Sequence, residues 1–227
     1  MLETSLSRSS ILSGLPEGLS SILFANATAS SLKAGEVLFN AGDVADGCYR
    51  LDQGVLKVDM VSPRGEELTL AIIGAGSIVG ELAMIDGHPR SASIIAVKDC
   101  KLRFISRADF EECTQRHPEI YRYLVNMLAA RLRDTDEAMA ANNFLTVKAR
   151  VARALFELAK HLGENTGSGR IVIRHKISQR DLAAMAGVAR ENVNRILSRW
   201  QQRRIVARSS LYYSINDKAA LEHEMRI

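Results

Sequence analysis

Two short stretches of the chain carry side chains whose types and spacing suit chemistry on something outside the chain. In the first, from Ile78 to Ile94, Gly80 and Glu81 are followed nine residues after Glu81 by Arg90 and then Ser91. A carboxylate accepts hydrogen bonds from hydroxyls, an arginine beside a serine binds an anionic oxygen through charge-assisted bonds, and glycine permits close backbone approach. A ribose carrying a phosphate would satisfy both ends; so would a plain Glu81–Arg90 ion pair across a turn. In the second stretch, Ser178 to Val206, Arg190, Glu191, Asn194 and Arg195 share one face of a helical pattern. Arginine can donate to guanine O6 and N7 and glutamate can accept from the cytosine amino group, each contact discriminating by about 1–3 kcal/mol.

Other chemistries find little support. The five histidines show no metal-ligand spacing, and no P-loop or nucleophile–base constellation accompanies them, so no enzyme and no metal are expected. Cys48, Cys100 and Cys113 form no C-x-x-C pair and read as reduced thiols. No run of about 20 apolar residues occurs, and residues 1–18 lack a continuous apolar signal region, so the expectation is a cytoplasmic protein without a membrane partner.

Charge divides the chain. Residues 1–140 hold 14 Lys/Arg against 19 Asp/Glu, and residues 141–227 hold 16 against 7. A module with net charge +9 fits a polyanionic partner, because neutralised phosphates release condensed counterions.

Elements must position these residues. From about Leu32 to Ile105, short β-branched runs alternate with glycines, which predicts an antiparallel β-barrel or roll; Ile11 to Phe24 has room for one or two short helices. After Pro118 the apolar period changes to about 3.6. Ile120, Leu124, Leu128, Leu132, Thr135 and Met139 form a column, with Met127 beside it. That stripe needs a partner, either its own β-domain or a second copy in a two-stranded coil, and the dimer is the favoured choice. A hinge is expected near Ala141 to Thr146, where Asn142-Asn143 interrupts the stripe. Beyond it come an amphipathic helix over about Val147 to Leu162, the polar run from Glu164 to Gly169 and a short strand in IVIRHKIS. Ser178 with Asp181 makes a box-like helix start, Leu182 and Met185 are expected to be buried, and Gly187 supplies a turn. Val193, Ile196, Leu197 and Trp200 give the second helix its apolar face.

These residues carry a resemblance. VARENVNRIL is very similar to the recognition helix of the Crp/Fnr family of transcription regulators, nearest its cyclic-AMP receptor branch, with an R-E-x-x-x-R pattern. The resemblance implies that Arg190, Glu191 and Arg195 read a TGTGA-like half-site with Ser178 and Gln179 near phosphates. Ser209 to Asn216, with Tyr212 and Tyr213, would form a β-wing. G-E-L-A followed by P-R-S-A resembles the phosphate-binding cassette of cyclic-nucleotide-binding domains. By that likeness Glu81 would meet the ribose 2′-hydroxyl, Arg90 and Ser91 the cyclic phosphate, and Gly80 and Leu82 would shape the wall. Arg131 and Thr135 would approach the base.

Asp136 departs from the family, whose cyclic-AMP branch carries serine there. A carboxylate could instead pair with the N1–H and N2 donors of guanine, or simply point to solvent. The implied architecture is α+β: a β-roll over 1–117, a dimerisation helix over 118–141 and a winged helix-turn-helix over 142–227. The implied partners are double-stranded DNA, a second copy and RNA polymerase, with cyclic AMP or cyclic GMP as allosteric effector. The alternative is a relative sensing redox or a haem ligand, or acting without ligand; clustered N-terminal cysteines of an iron-sulfur version are absent.

Overall fold

The structure is a computed structural model and describes residues 16–166 and 169–226. It comprises two compact units, one of residues up to Met60 with Ile73–Glu137, the other of Val61–Ile72 with Ala138 onward.

Helix α1 (Glu17–Leu23) precedes strands β1 (Thr28–Leu32), β2 (Val37–Phe39), β3 (Gly47–Gln53), β4 (Val55–Val61), β5 (Glu67–Gly74) and β6 (Ile78–Val79), all in the first unit except Val61 of β4 and Glu67–Ile72 of β5. A one-and-a-half-turn helix, α2 (Glu81–Asp86), leads to β7 (Ser93–Ala96) and β8 (Cys100–Ser106), then to α3 (Arg107–Arg116) and the long α4 (Glu119–Phe144). The strands form two sheets, ordered β1-β8-β3-β6 and β2-β7-β4-β5. Pairing is antiparallel, with Leu51 opposite Leu102 and Val58 opposite Ile94. Alternation turns Cys100 and Leu102 of β8 inward and Lys101 outward, and the buried phase shifts to Ile105 at the end of the strand. The antiparallel roll expected from the glycine-punctuated runs is present. One helix, α1, lies in the stretch expected to hold one or two; residues 11–15 of that stretch fall outside the described residues.

The apolar column of α4 serves two surfaces. Ile120, Leu124 and Met127 are buried in one cluster with Phe24, Cys48, Ile78, Met84, Ile105 and Phe110, so the first half of the helix packs on its own roll. Each such side chain contributes about 1.5–3 kcal/mol by leaving water. Val125, Leu132 and Met139 stay exposed at 62%, 62% and 63%. The helix also runs through Asn142-Asn143, where an interruption was expected: Asn143 Nδ2 donates to the Met139 carbonyl at 2.8 Å and the turn closes on itself. The break comes at Leu145-Thr146, where Thr146 caps the next helix.

In the second unit, α5 (Val147–Leu162) is followed by β9 (Gly163–Asn165), β10 (Ile171–Ile173), α6 (Gln179–Ala186), α7 (Arg190–Gln202), β11 (Val206–Ser209), β12 (Tyr212–Ile215) and α8 (Lys218–Glu224). The sheet order is β11-β12-β10-β9. Helix α5 has the expected bounds. The start of the polar run after it is not loop: Glu164 and Asn165 sit opposite Val172 and Ile171, because a ladder uses backbone groups and an edge strand tolerates polar side chains. Among the described residues no helix is long and apolar enough to cross a membrane.

Candidate effector pocket and nucleic-acid interface

The turn from β6 into α2 builds the first site. Gly80 adopts the left-handed conformation at φ +82°, and a Cβ on it would lie 2.4 Å from Arg90 Nη1, so two independent constraints require glycine. That turn drives Glu81 inward, where it is buried. Burial pushes its carboxyl above the usual range, against the opposing pull of Arg131 and then Arg90. Arg131, reaching from α4, donates to the Glu81 carboxylate and, at 2.5 Å, to the Ile78 carbonyl.

Arg90 is equally enclosed, at 5% exposure. Its Nη1 donates to the Gly80 carbonyl at 2.8 Å, its guanidinium lies 4.3 Å from the centre of the Phe39 ring, and Asp46 stands 3.6 Å away. Its backbone is pinned too, between the Asp43 carbonyl and the Gly42 N–H. Glu81 therefore pairs with Arg131 and not with Arg90, so the plain ion pair allowed by their spacing is not what forms. The Nε atoms of both Arg90 and Arg131 are buried without a hydrogen-bond partner. Buried donors left unpaired cost free energy, and two of them flanking one buried carboxylate fit an anionic, hydroxyl-bearing guest.

The remaining predicted residues surround this centre unevenly. Ser91 is exposed next to Arg90, and the Leu82 side chain is 41% exposed. Thr135 lies one turn beyond Arg131 on α4 and donates its hydroxyl to the Arg131 carbonyl at 2.9 Å. Asp136 is exposed and has no hydrogen-bond or ion-pair partner among the described residues. Phe39 and Asp46, which seat Arg90, were not anticipated; both lie over 40 residues before it, and no local pattern marks them. Cys48 is buried against the same centre, and burial pushes its thiol far above the usual range, away from thiolate chemistry. Among the described residues, no three of His, Cys, Asp and Glu converge as metal ligands.

The second site lies on α6 and α7. Ser178 and Asp181 form a reciprocal capping box, and Gly187 ends α6 at φ +60°. Leu182 is fully buried, whereas Met185 is only half-buried. Val193, Ile196, Leu197 and Trp200 bury one face of α7, which leaves Arg190, Glu191, Asn194 and Arg195 exposed on the other as their spacing requires. Gln179 Nε2 donates to Asn194 Oδ1 at 3.1 Å, and Arg195 donates to Asn192 Oδ1 at 2.6 Å, so the exposed face is ordered by contacts with its neighbours. Asn192 was not singled out by sequence; its role as an orienting acceptor depends on its turn of the helix. The β11–β12 hairpin lies where the wing was expected and contains both tyrosines. Tyr212 faces out, whereas Tyr213 is buried at 1% exposure together with Ser214 and Ile215 after it.

Comparison with known proteins finds a family match for each part of the chain. Residues 29–117 match the cyclic nucleotide-binding domain model and residues 149–224 the Crp-like helix-turn-helix domain model. The chain is 28% identical over 221 residues to a CRP-like cAMP-activated global transcriptional regulator of Mycobacterium tuberculosis, covering 97% of this chain and 98% of that one. It is 32% identical over 189 residues to a cyclic AMP receptor protein of Thermus thermophilus, covering 83% of each. A CRP/FNR-family transcriptional regulator of Thermus thermophilus superposes with a TM-score of 0.76 at 24% identity, over 87% of this chain and 98% of that structure. With its buried Glu81–Arg131–Arg90 centre on a β-roll and its arginine-faced helix on a basic winged unit, the chain belongs to the Crp/Fnr family of cyclic-nucleotide-binding transcription regulators.

Proposed function

We propose that the protein is a homodimeric regulator whose DNA binding is switched by cyclic AMP and which reads palindromic TGTGA-like sites. The observation that carries this reading is the pair of unpartnered Nε donors, on Arg90 and Arg131, beside buried Glu81. A cyclic phosphate on Arg90 and Ser91 and a 2′-hydroxyl on Glu81 would supply the missing partners, while Gly80 and Leu82 bound the wall and Arg131 and Thr135 approach the base. The relatives named cAMP-activated support the choice of nucleotide. Residues 1–117 would bind effector, 118–141 would pair the subunits, and 142–227 would hold the DNA. In the last part, Arg190, Glu191, Asn194 and Arg195 meet base edges and Ser178 and Gln179 lie near phosphates. The protein acts by binding and not by catalysis, in the cytoplasm, with RNA polymerase as its further partner. Nucleotide moves the population toward the DNA-competent arrangement only by the margin with which it prefers that arrangement.

A second reading rests on Asp136. Its free carboxylate matches the N1–H and N2 donors of guanine, so cyclic GMP is a further effector. One titration tests both: fluorescence anisotropy of a labelled TGTGA-N6-TCACA duplex at fixed salt, with no ligand, with cyclic AMP and with cyclic GMP. Tight binding with cyclic AMP alone supports the first reading, and response to both nucleotides supports the second. Equal binding in all three overturns the nucleotide switch.

A further inference from the structure

The exposed face of α4 follows a heptad. Val125, Leu132 and Met139 fall at a positions and Leu128 and Thr135 at d, with 3–4 spacing throughout. The three a residues are the most exposed apolar side chains of the helix short of its last residue, while Ile120, Leu124 and Met127 on the neighbouring face are buried in the roll. In a two-stranded coil the a and d residues meet at the seam, and charged residues at e and g set which way the strands run.

In this register the g positions are Leu124, Arg131 and Ala138, and the e positions are Ala129, Asp136 and Asn143. One g and one e are charged, with opposite signs and five residues apart. Five is the offset at which g of one parallel strand meets e of the other, so two copies in parallel bring Arg131 of each to Asp136 of its partner, twice per dimer. An antiparallel pairing, in which g faces g and e faces e, gives no such match.

Arg131 has donors to spare. Two of its five N–H groups go to Glu81 and the Ile78 carbonyl, and its side chain keeps 26% of its surface exposed. Asp136 is exposed and unpaired among the described residues. We propose that Asp136 of a second copy is the further partner of Arg131, an interchain ion pair that fixes the parallel register of α4. This rests on the homodimer reading above, and it gives Asp136 a positioning role that does not require contact with a nucleotide base.

Sedimentation equilibrium of the full chain without nucleotide tests it, on wild type, Asp136→Asn, Arg131→Ala, Arg131→Lys and the Asp136→Asn combinations. At 50 mM salt Asp136→Asn should weaken dimerisation about tenfold, since two ion pairs are lost, and the deficit should shrink at 1 M salt. The same change should cost nothing further in an Arg131→Ala background and should keep its effect in Arg131→Lys, which retains the charge and guards against misfolding of the alanine variant. An unchanged or tighter Asp136→Asn dimer overturns the proposal, as does equal weakening in the Arg131→Ala background; in either case the homodimer itself stands. A wild-type chain that is monomeric throughout removes the homodimer as well.

Discussion

Arg90 is held from several directions before any guest arrives. The Gly80 carbonyl fixes one nitrogen, the Phe39 ring covers one face of the guanidinium, and the backbone on both sides is bonded to the Gly42–Asp43 loop. A side chain so fixed spends little entropy when an anion docks. Arg90→Ala should therefore abolish nucleotide-dependent DNA binding while leaving the chain folded, because the lost cation is replaced by space that water can enter from the Asp46 side. Anisotropy with and without cyclic AMP, alongside circular dichroism, checks both halves. An unchanged nucleotide response would remove Arg90 from the site. Sequence made the pocket half legible at this scale: the glutamate, the glycine and the arginine announce themselves by type, but the partner of Glu81 does not. Spacing allowed Arg90, nine residues away, whereas the fold supplied Arg131, fifty residues away on another element. The tight αL turn at Gly80 aims Glu81 into the roll and toward the helix packed on it.

Helix ends were readable where the signal is local and poorly readable where it is not. The bounds of α5, and the caps of α6, follow from Thr146, Ser178, Asp181 and Gly187 acting within one turn of themselves. Helix α3 went unread despite its Ser106 cap, since it is short and follows directly on β8, and α8 was missed too. The stripe of α4 was visible, but periodicity does not say which partner covers which part. Helix α8 supplies a prediction of its own. Glu224 is 3% exposed and meets Lys148 of α5 at 2.8 Å and Arg203 at the end of α7. Burial pushes its carboxyl up, yet hydrogen bonds from Lys148, Arg203 and the Trp200 indole outweigh burial and hold it at about 2. A carboxyl held below its unfolded value of 4.5 contributes fully above that pH and loses its contribution as pH falls toward about 2. Glu224→Gln should cost about 1–3 kcal/mol at pH 7, less than a fully enclosed pair because Lys148 and Arg203 are half-exposed, and the deficit should fade below pH 4. Urea unfolding followed by the fluorescence of Trp200, the single tryptophan, reads this directly. A deficit that is constant across pH would show that Glu224 acts through packing.

At the scale of the whole molecule, the acidic first part and basic second part were legible from charge alone, and the two compact units follow the same division closely, except that Val61–Ile72 belongs with the second. That exchange joins residues far apart in the chain, which composition cannot reveal. Helix α4, like β4 and β5, has residues in both units, and it is continuous across Glu137–Ala138. Its three buried anchors all lie in its first nine residues, and everything after Met127 is half-buried or exposed until Ala141. Amide protection should therefore fall along a single helix. Hydrogen exchange should place residues 120–127 with the slowest amides of the roll, opening only when the whole domain opens, and residues 132–140 among amides released by local fraying. Flat protection along α4 in a monomeric preparation would contradict this gradient. A helix that is anchored at one end and loose at the other holds its own reserve of free energy, since whatever covers the loose half, a second strand or a bound guest, is registered as slower exchange far from the point of contact.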